Sequence, residues 1–126
     1  MRVHRAVCLA VASLYVTPTF ATYRDEMRTT PFWNAAELQR RLSIGRPWKQ
    51  LTPFEERESL EGLTYVIGVA DSIEGESACI IGAPNGETLT DVVLAYMAAN
   101  STDPQASAGR IVKVALSKAF PCPASI

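Results

Sequence analysis

The sequence predicts an all-α domain, a small bundle of four to five helices closed by one disulfide. Three observations predict it. Apolar residues recur at helical spacing in separate stretches, each opened by a capping Asn, Thr or Asp. The one run that reads as a buried strand, Val66-Ile67-Gly68-Val69, lies inside a capped helical pattern and is too short to override it. Two cysteines, Cys79 and Cys122, remain once an N-terminal export signal is set aside.

That signal comes first in the chain. Arg2, His4 and Arg5 form a basic stretch, Ala6 to Val16 is apolar and uncharged, and Thr19 and Ala21 supply small residues for cleavage after Ala21. This order is that of a secretory signal peptide. A membrane anchor is the alternative, but the apolar run has about half of the roughly 20 residues that a spanning helix needs. Residues 1–21 are therefore expected to be the signal and 22–126 the mature domain, with no membrane span after signal removal.

Cleavage changes the available chemistry. His4, the only histidine, and Cys8 leave with the signal, and the loss of Arg2 and Arg5 takes the net charge from −1 to −3. The mature chain has the length of a single modest domain. An even pair of cysteines in an exported chain is expected to form a disulfide, Cys79–Cys122. Two free buried thiols are the alternative. No Cys-x-x-Cys spacing supports a redox pair.

The elements follow in order. Thr22 to Pro31 is a polar lead-in. Asn34 can cap a helix from Ala35 to about Ser43, with Leu38 and Leu42 one turn apart, ended by Gly45 and Pro47. Thr52-Pro53-Phe54-Glu55 announces the second helix with a capping Thr, a Pro at the first position and a Glu three residues after the cap. Its apolar positions are Leu60, Leu63, Val66, Ile67, Ala70 and Ile73. Gly62 and Gly68 interrupt it, each costing about 1 kcal/mol against alanine, and are expected where another helix comes close. A turn-rich connection follows through Gly82-Ala83-Pro84-Asn85-Gly86. Thr88 is expected to open the third helix, with Asp91 as its cap-box acid, Leu89, Val92, Val93, Tyr96 and Met97 inside, and Asn100-Ser101 at its close. Asp103-Pro104 is expected to open the fourth, lined by Ala108, Ile111, Val112, Ala115, Leu116 and Phe120 and stopped by Pro121.

Catalytic chemistry is thin. Without histidine there is no Ser/His or Cys/His pair, and with both cysteines oxidised there is no thiolate or zinc site. No cofactor is expected. The EF-hand spacing is absent, the Gly82–Gly86 segment lacks the Lys-Ser/Thr of a phosphate loop, and no basic run with aromatics points to nucleic acid. Carboxylates remain. Glu55, Glu58 and Glu61 share one side of the second helix, and Asp71, Glu74 and Glu76 cluster at its end. A two-carboxylate hydrolase would need such a pair, but an exposed acidic face is the simpler reading. Tyr65 reads as a core or interface residue. Phe32, Trp33, Trp48 and Phe54 gather around the first helix as core residues or as an interface anchor. The chain is expected to work by binding a partner.

Three short blocks resemble a known family. Leu63-Thr64-Tyr65-Val66-Ile67-Gly68-Val69-Ala70-Asp71 is similar to its Gly-Tyr and Gly-Val-x-Asp signature. Cys79 followed by Thr88-Leu89-Thr90-Asp91-Val92-Val93 resembles its second block, and Ile111-Val112 through Ala115-Leu116 to Phe120-Pro121-Cys122-Pro123 its third. In order and spacing these resemble the Rap/Tai immunity proteins associated with type VI secretion. The resemblance implies a periplasmic helical protein, often a homodimer, that binds and inhibits a secreted peptidoglycan amidase by occluding its active site. A periplasmic helical protein with another partner, such as an envelope-stress or assembly factor, is the alternative. Family members often carry two further cysteines, at places that read here as about Arg41 or Leu42, and Gly62. Both are absent together, as the loss of one whole disulfide would leave them. On this reading the acidic surface of Asp71, Glu74 and Glu76 is the candidate contact with the partner, with mere solubilisation as the alternative.

Overall fold

A computed structural model describes residues 32–46, 50–80, 82 and 85–124. The signal-peptide residues, the lead-in to Pro31, Trp48 and Pro84 lie outside the described residues. Four helices follow in order: α1 (Ala35–Ser43), α2 (Pro53–Ile73), α3 (Gly86–Ala99) and α4 (Ala108–Ala119). Each packs on the other three. Among the described residues there are only two isolated β-bridges, Asn34 with Ser107 and Glu74 with Ala78, and no strand. The all-α expectation is met.

Local chemistry sets the first two helix starts. Asn34 Oδ1 accepts from the Glu37 amide at 2.9 Å, which caps α1. At α2 the box is closed from both sides: Thr52 Oγ1 accepts from the Glu55 amide at 3.3 Å, and Glu55 Oε2 accepts from the Thr52 amide at 2.9 Å. The other two starts differ from those expected. Asn85, not Thr88, caps α3, and its Oδ1 accepts from the Thr88 amide at 3.2 Å. Asp91 is therefore well inside the helix, where it pairs with Arg46.

The fourth helix starts at Ala108 after Ser107, not at Asp103-Pro104. Asp103 instead closes a tight turn, its Oδ1 accepting from the Gln105 amide at 2.9 Å. The carbonyls of Pro104 and Ala106 accept from the Ala36 and Ala35 amides at 3.1 and 2.8 Å. They serve as acceptors for the first turn of α1, and this holds residues 103–107 out of the helix.

The core is contributed by all four helices. Leu38 and Leu42 come from α1, Val66, Ala70 and Ile73 from α2, Leu89, Val93 and Met97 from α3, and Ile111, Val112, Ala115 and Leu116 from α4. Gly62 behaves as expected: a Cβ there would lie 3.0 Å from Arg41 Cβ and 3.1 Å from Leu42 Cδ2, so α1 and α2 touch at this turn. Gly68 does not, for among the described residues no atom beyond its own stretch of helix lies within 4 Å of the equivalent point.

The disulfide joins Cys79, between α2 and α3, to Cys122, just past α4, with 4.8 Å between the Cα atoms. The Cys79 amide also donates to the Phe120 carbonyl at 2.8 Å. Closing a loop with a separation of 43 residues stabilises by about 4 kcal/mol on chain-entropy grounds. The bridge thus fixes the α2–α3 connection against the end of α4.

Candidate functional site

The acidic face expected from Glu55, Glu58 and Glu61 is not a free surface. Glu55 closes the α2 cap. Glu58 is buried against α1, where Arg40 grips it in a fork, Nη2 to Oε1 at 2.7 Å and Nη1 to Oε2 at 3.0 Å. Glu61 pairs with Arg41, whose Nε also reaches Glu37 Oε1 at 2.7 Å. Arg40 first, against the opposing effect of burial, holds the Glu58 carboxyl below its usual range, and Arg40 and then Arg41 do the same for Glu37. The basic stretch of α1 and the acids of early α2 therefore neutralise each other across one helix pair.

This network extends into the aromatic residues. The Arg41 guanidinium lies 4.6 Å from the centre of the Trp33 ring, which stacks on Tyr65 at 4.7 Å and 21°. Burial pushes the Tyr65 phenol up, countered in part by the Gly109 backbone. Tyr65 and Trp33 are thus packing residues joining α1, α2 and α4. The expectation that the aromatics fill the core fails for two of them, since Phe32 is 95% and Phe54 61% exposed.

The carboxylates at the far end of α2 divide by role. Glu74 is half-buried, and its Oε2 accepts from the Ile80 amide at 2.8 Å, which fastens the loop that carries Cys79. Its other oxygen is buried without a hydrogen-bond partner. Asp71 and Glu76 are exposed. Asp71 and Glu74, with Ile67, Ala70, Ile80 and Leu89, line a groove of about 260 Å³ between α2 and the start of α3. A smaller cavity of about 100 Å³ lies near the end of α1, beside Leu42, Arg46, Ser59 and Leu63. Both are below the roughly 300–1,000 Å³ of small-molecule sites. Among the described residues, no group of three or more His, Cys, Asp or Glu side chains could hold a metal ion, and no helix is long and apolar enough to cross a membrane.

A second surface was not expected. Leu60 is 60% and Ile67 38% exposed, although both keep the helical spacing of the apolar positions of α2. With Phe54, α2 carries three of the four exposed large apolar side chains of the described chain. Thr64, Gly68 and Asp71 share this outward side and are also exposed. The signal available in the sequence was the breadth of apolar positions around α2, more than one face of a helix requires.

The family profile of the Rap1a immunity proteins matches residues 34–122, from the cap of α1 to the second half-cystine. The chain belongs to that family. No curated protein matches it significantly. Membership makes this Rap1a chain a binding protein and not an enzyme. The matched region takes in all four helices and the disulfide, so the fold described above is the family's unit. The two positions where the resemblance expects further cysteines are adjacent in space, Gly62 lying against Arg41 and Leu42. In this Rap1a chain the Arg40–Glu58 and Arg41–Glu61 pairs link the same two helices.

Proposed function

We propose that this chain is a periplasmic immunity protein that binds a type VI secreted peptidoglycan amidase and inhibits it by occluding its active site. Residues 1–21 direct export as a cleaved signal, and 22–126 form the mature domain. Membership of the Rap1a immunity proteins carries the reading. The disulfide suits an oxidising compartment, and a helical domain with exposed apolar side chains needs no chemistry of its own to fill a cleft.

The acidic end of α2 serves as the contact region. Asp71 and Glu76 face the partner and speed association by charge complementarity, while Glu74 contributes from behind as the residue that fixes the loop. The protein acts as a homodimer, which sedimentation of the mature form checks.

The test is protection in cells. The amidase encoded beside this gene is directed to the periplasm, together with the full-length chain or with a version lacking residues 1–21. Survival only with the exported form is the expected result. Lysis in both cases, with the exported protein present and oxidised, rejects the immunity role and favours another periplasmic partner.

A further inference from the structure

The outward side of α2 has features that the bundle itself does not use. Gly68 stands in mid-helix, where glycine is unfavourable, and no contact among the described residues requires it. Leu60 and Ile67 flank it in the open. Single exposed apolar residues are ordinary, but these continue into the groove, where Ile67, Ala70, Ile80 and Leu89 give an apolar wall.

The charges of the groove are one-sided. Among the described residues its polar members are Asp71 and Glu74, and no cation lines it. Asp71 has no hydrogen-bond or ion-pair partner among the described residues, and Glu74 meets only a backbone amide. Both sit at the C-terminal end of α2, whose last turn holds no basic residue. The backbone dipole is negative there, so the acids are placed against it and a cation is favoured. Early α2 differs, since Arg40 and Arg41 answer its acids from within the chain.

Resting on the immunity reading above, we infer that the outward side of α2 from Leu60 to Asp71, with the groove at its end, is the docking surface for the amidase. The groove receives one lysine or arginine side chain of that enzyme. Its aliphatic stem lies along Ile67 and Leu89, and its charge meets Asp71. Gly68 leaves the helix backbone bare so that the partner's chain approaches closely. The volume fits one long side chain, not a separate ligand.

The experiment measures association of the oxidised mature protein with the amidase encoded beside its gene, by biolayer interferometry at two salt concentrations. Gly68→Arg, Ile67→Asp and Asp71→Lys are compared with wild type, and Lys113→Glu, on the exposed side of α4, is the control. All four positions are solvent-exposed, and circular dichroism checks that each variant keeps the wild-type fold, with Gly68→Arg expected to melt higher because it removes a mid-helix glycine. Gly68→Arg and Ile67→Asp should weaken binding at least about 30-fold, the loss of a central contact. Asp71→Lys should slow association and reduce its salt dependence, whereas Lys113→Glu should change little. If wild type binds and the three variants bind as well, the docking surface is wrong while the immunity reading stands. If wild type does not bind, the immunity reading falls and takes this inference with it. A wild-type dimer that Gly68→Arg disperses, with amidase binding intact, shows that a second copy occupies the surface and also overturns it.

Discussion

Two glycines of one helix provide a direct test of the packing described for α2. Alanine is better than glycine in a helix interior by about 1 kcal/mol. At Gly68 nothing opposes that gain, because the space around the new methyl is open. At Gly62 the methyl would lie 3.0 Å from Arg41 Cβ, an atom fixed to the α1 backbone that no rotamer change can move. Overpacking of this kind costs about 1–3 kcal/mol, which exceeds the propensity gain at its midpoint by about 1 kcal/mol. Gly68→Ala should therefore raise the melting temperature by about 4–8 °C, and Gly62→Ala should lower it by a similar amount, for a domain of this size. Thermal melts of the two oxidised variants, with urea midpoints as a second measure, read the difference. Equal stabilisation of both would refute the close approach of α1 to α2 at this turn.

Four further outcomes can be measured. Glu37 and Glu58 have folded pKa values below the usual 4.5, so the unfolded chain takes up protons first as pH falls. Their contribution to stability is complete above about 4.5 and is lost as pH drops through the folded values, so melts from pH 7 to 3 should show a decline that Arg40→Met flattens. Mass spectrometry of the periplasmic protein should find a chain starting at Thr22 and two hydrogens short of the dithiol form. Replacing Cys79 and Cys122 together by serine should cost up to about 4 kcal/mol, read from urea unfolding. Thr52→Ala removes the α2 cap and should cost about 1 kcal/mol without altering amidase affinity.

What the sequence revealed was what local chemistry determines. Asn34 and the Thr52/Glu55 box specify their helix starts with atoms three residues apart, so both were legible. The start of α4 was not, because the carbonyls of Pro104 and Ala106 are taken by α1, some seventy residues earlier in the chain. Glu58 and Glu61 read as a solvated face for the same reason: Arg40 and Arg41, which engage them most closely, lie on another helix. Gly62 and Gly68 look alike in a sequence, and only packing separates them. The exposed side of α2 was hidden by its own regularity. Leu60 and Ile67 keep helical spacing, but a 21-residue helix against three shorter neighbours cannot be covered all round, and spacing alone does not say which side stays bare. Of the three acids read as a contact, Asp71 and Glu76 are exposed as that reading needs, while Glu74 turned out to hold the loop.

The most direct test of the central claim is a titration. Purified amidase cleaving peptidoglycan is mixed with rising amounts of the oxidised mature protein, and the remaining activity is followed. Loss of cleavage that reaches completion at a fixed stoichiometric ratio is the result expected of an inhibitor that closes the active site. Unchanged cleavage in the presence of excess folded, disulfide-bonded protein would contradict it.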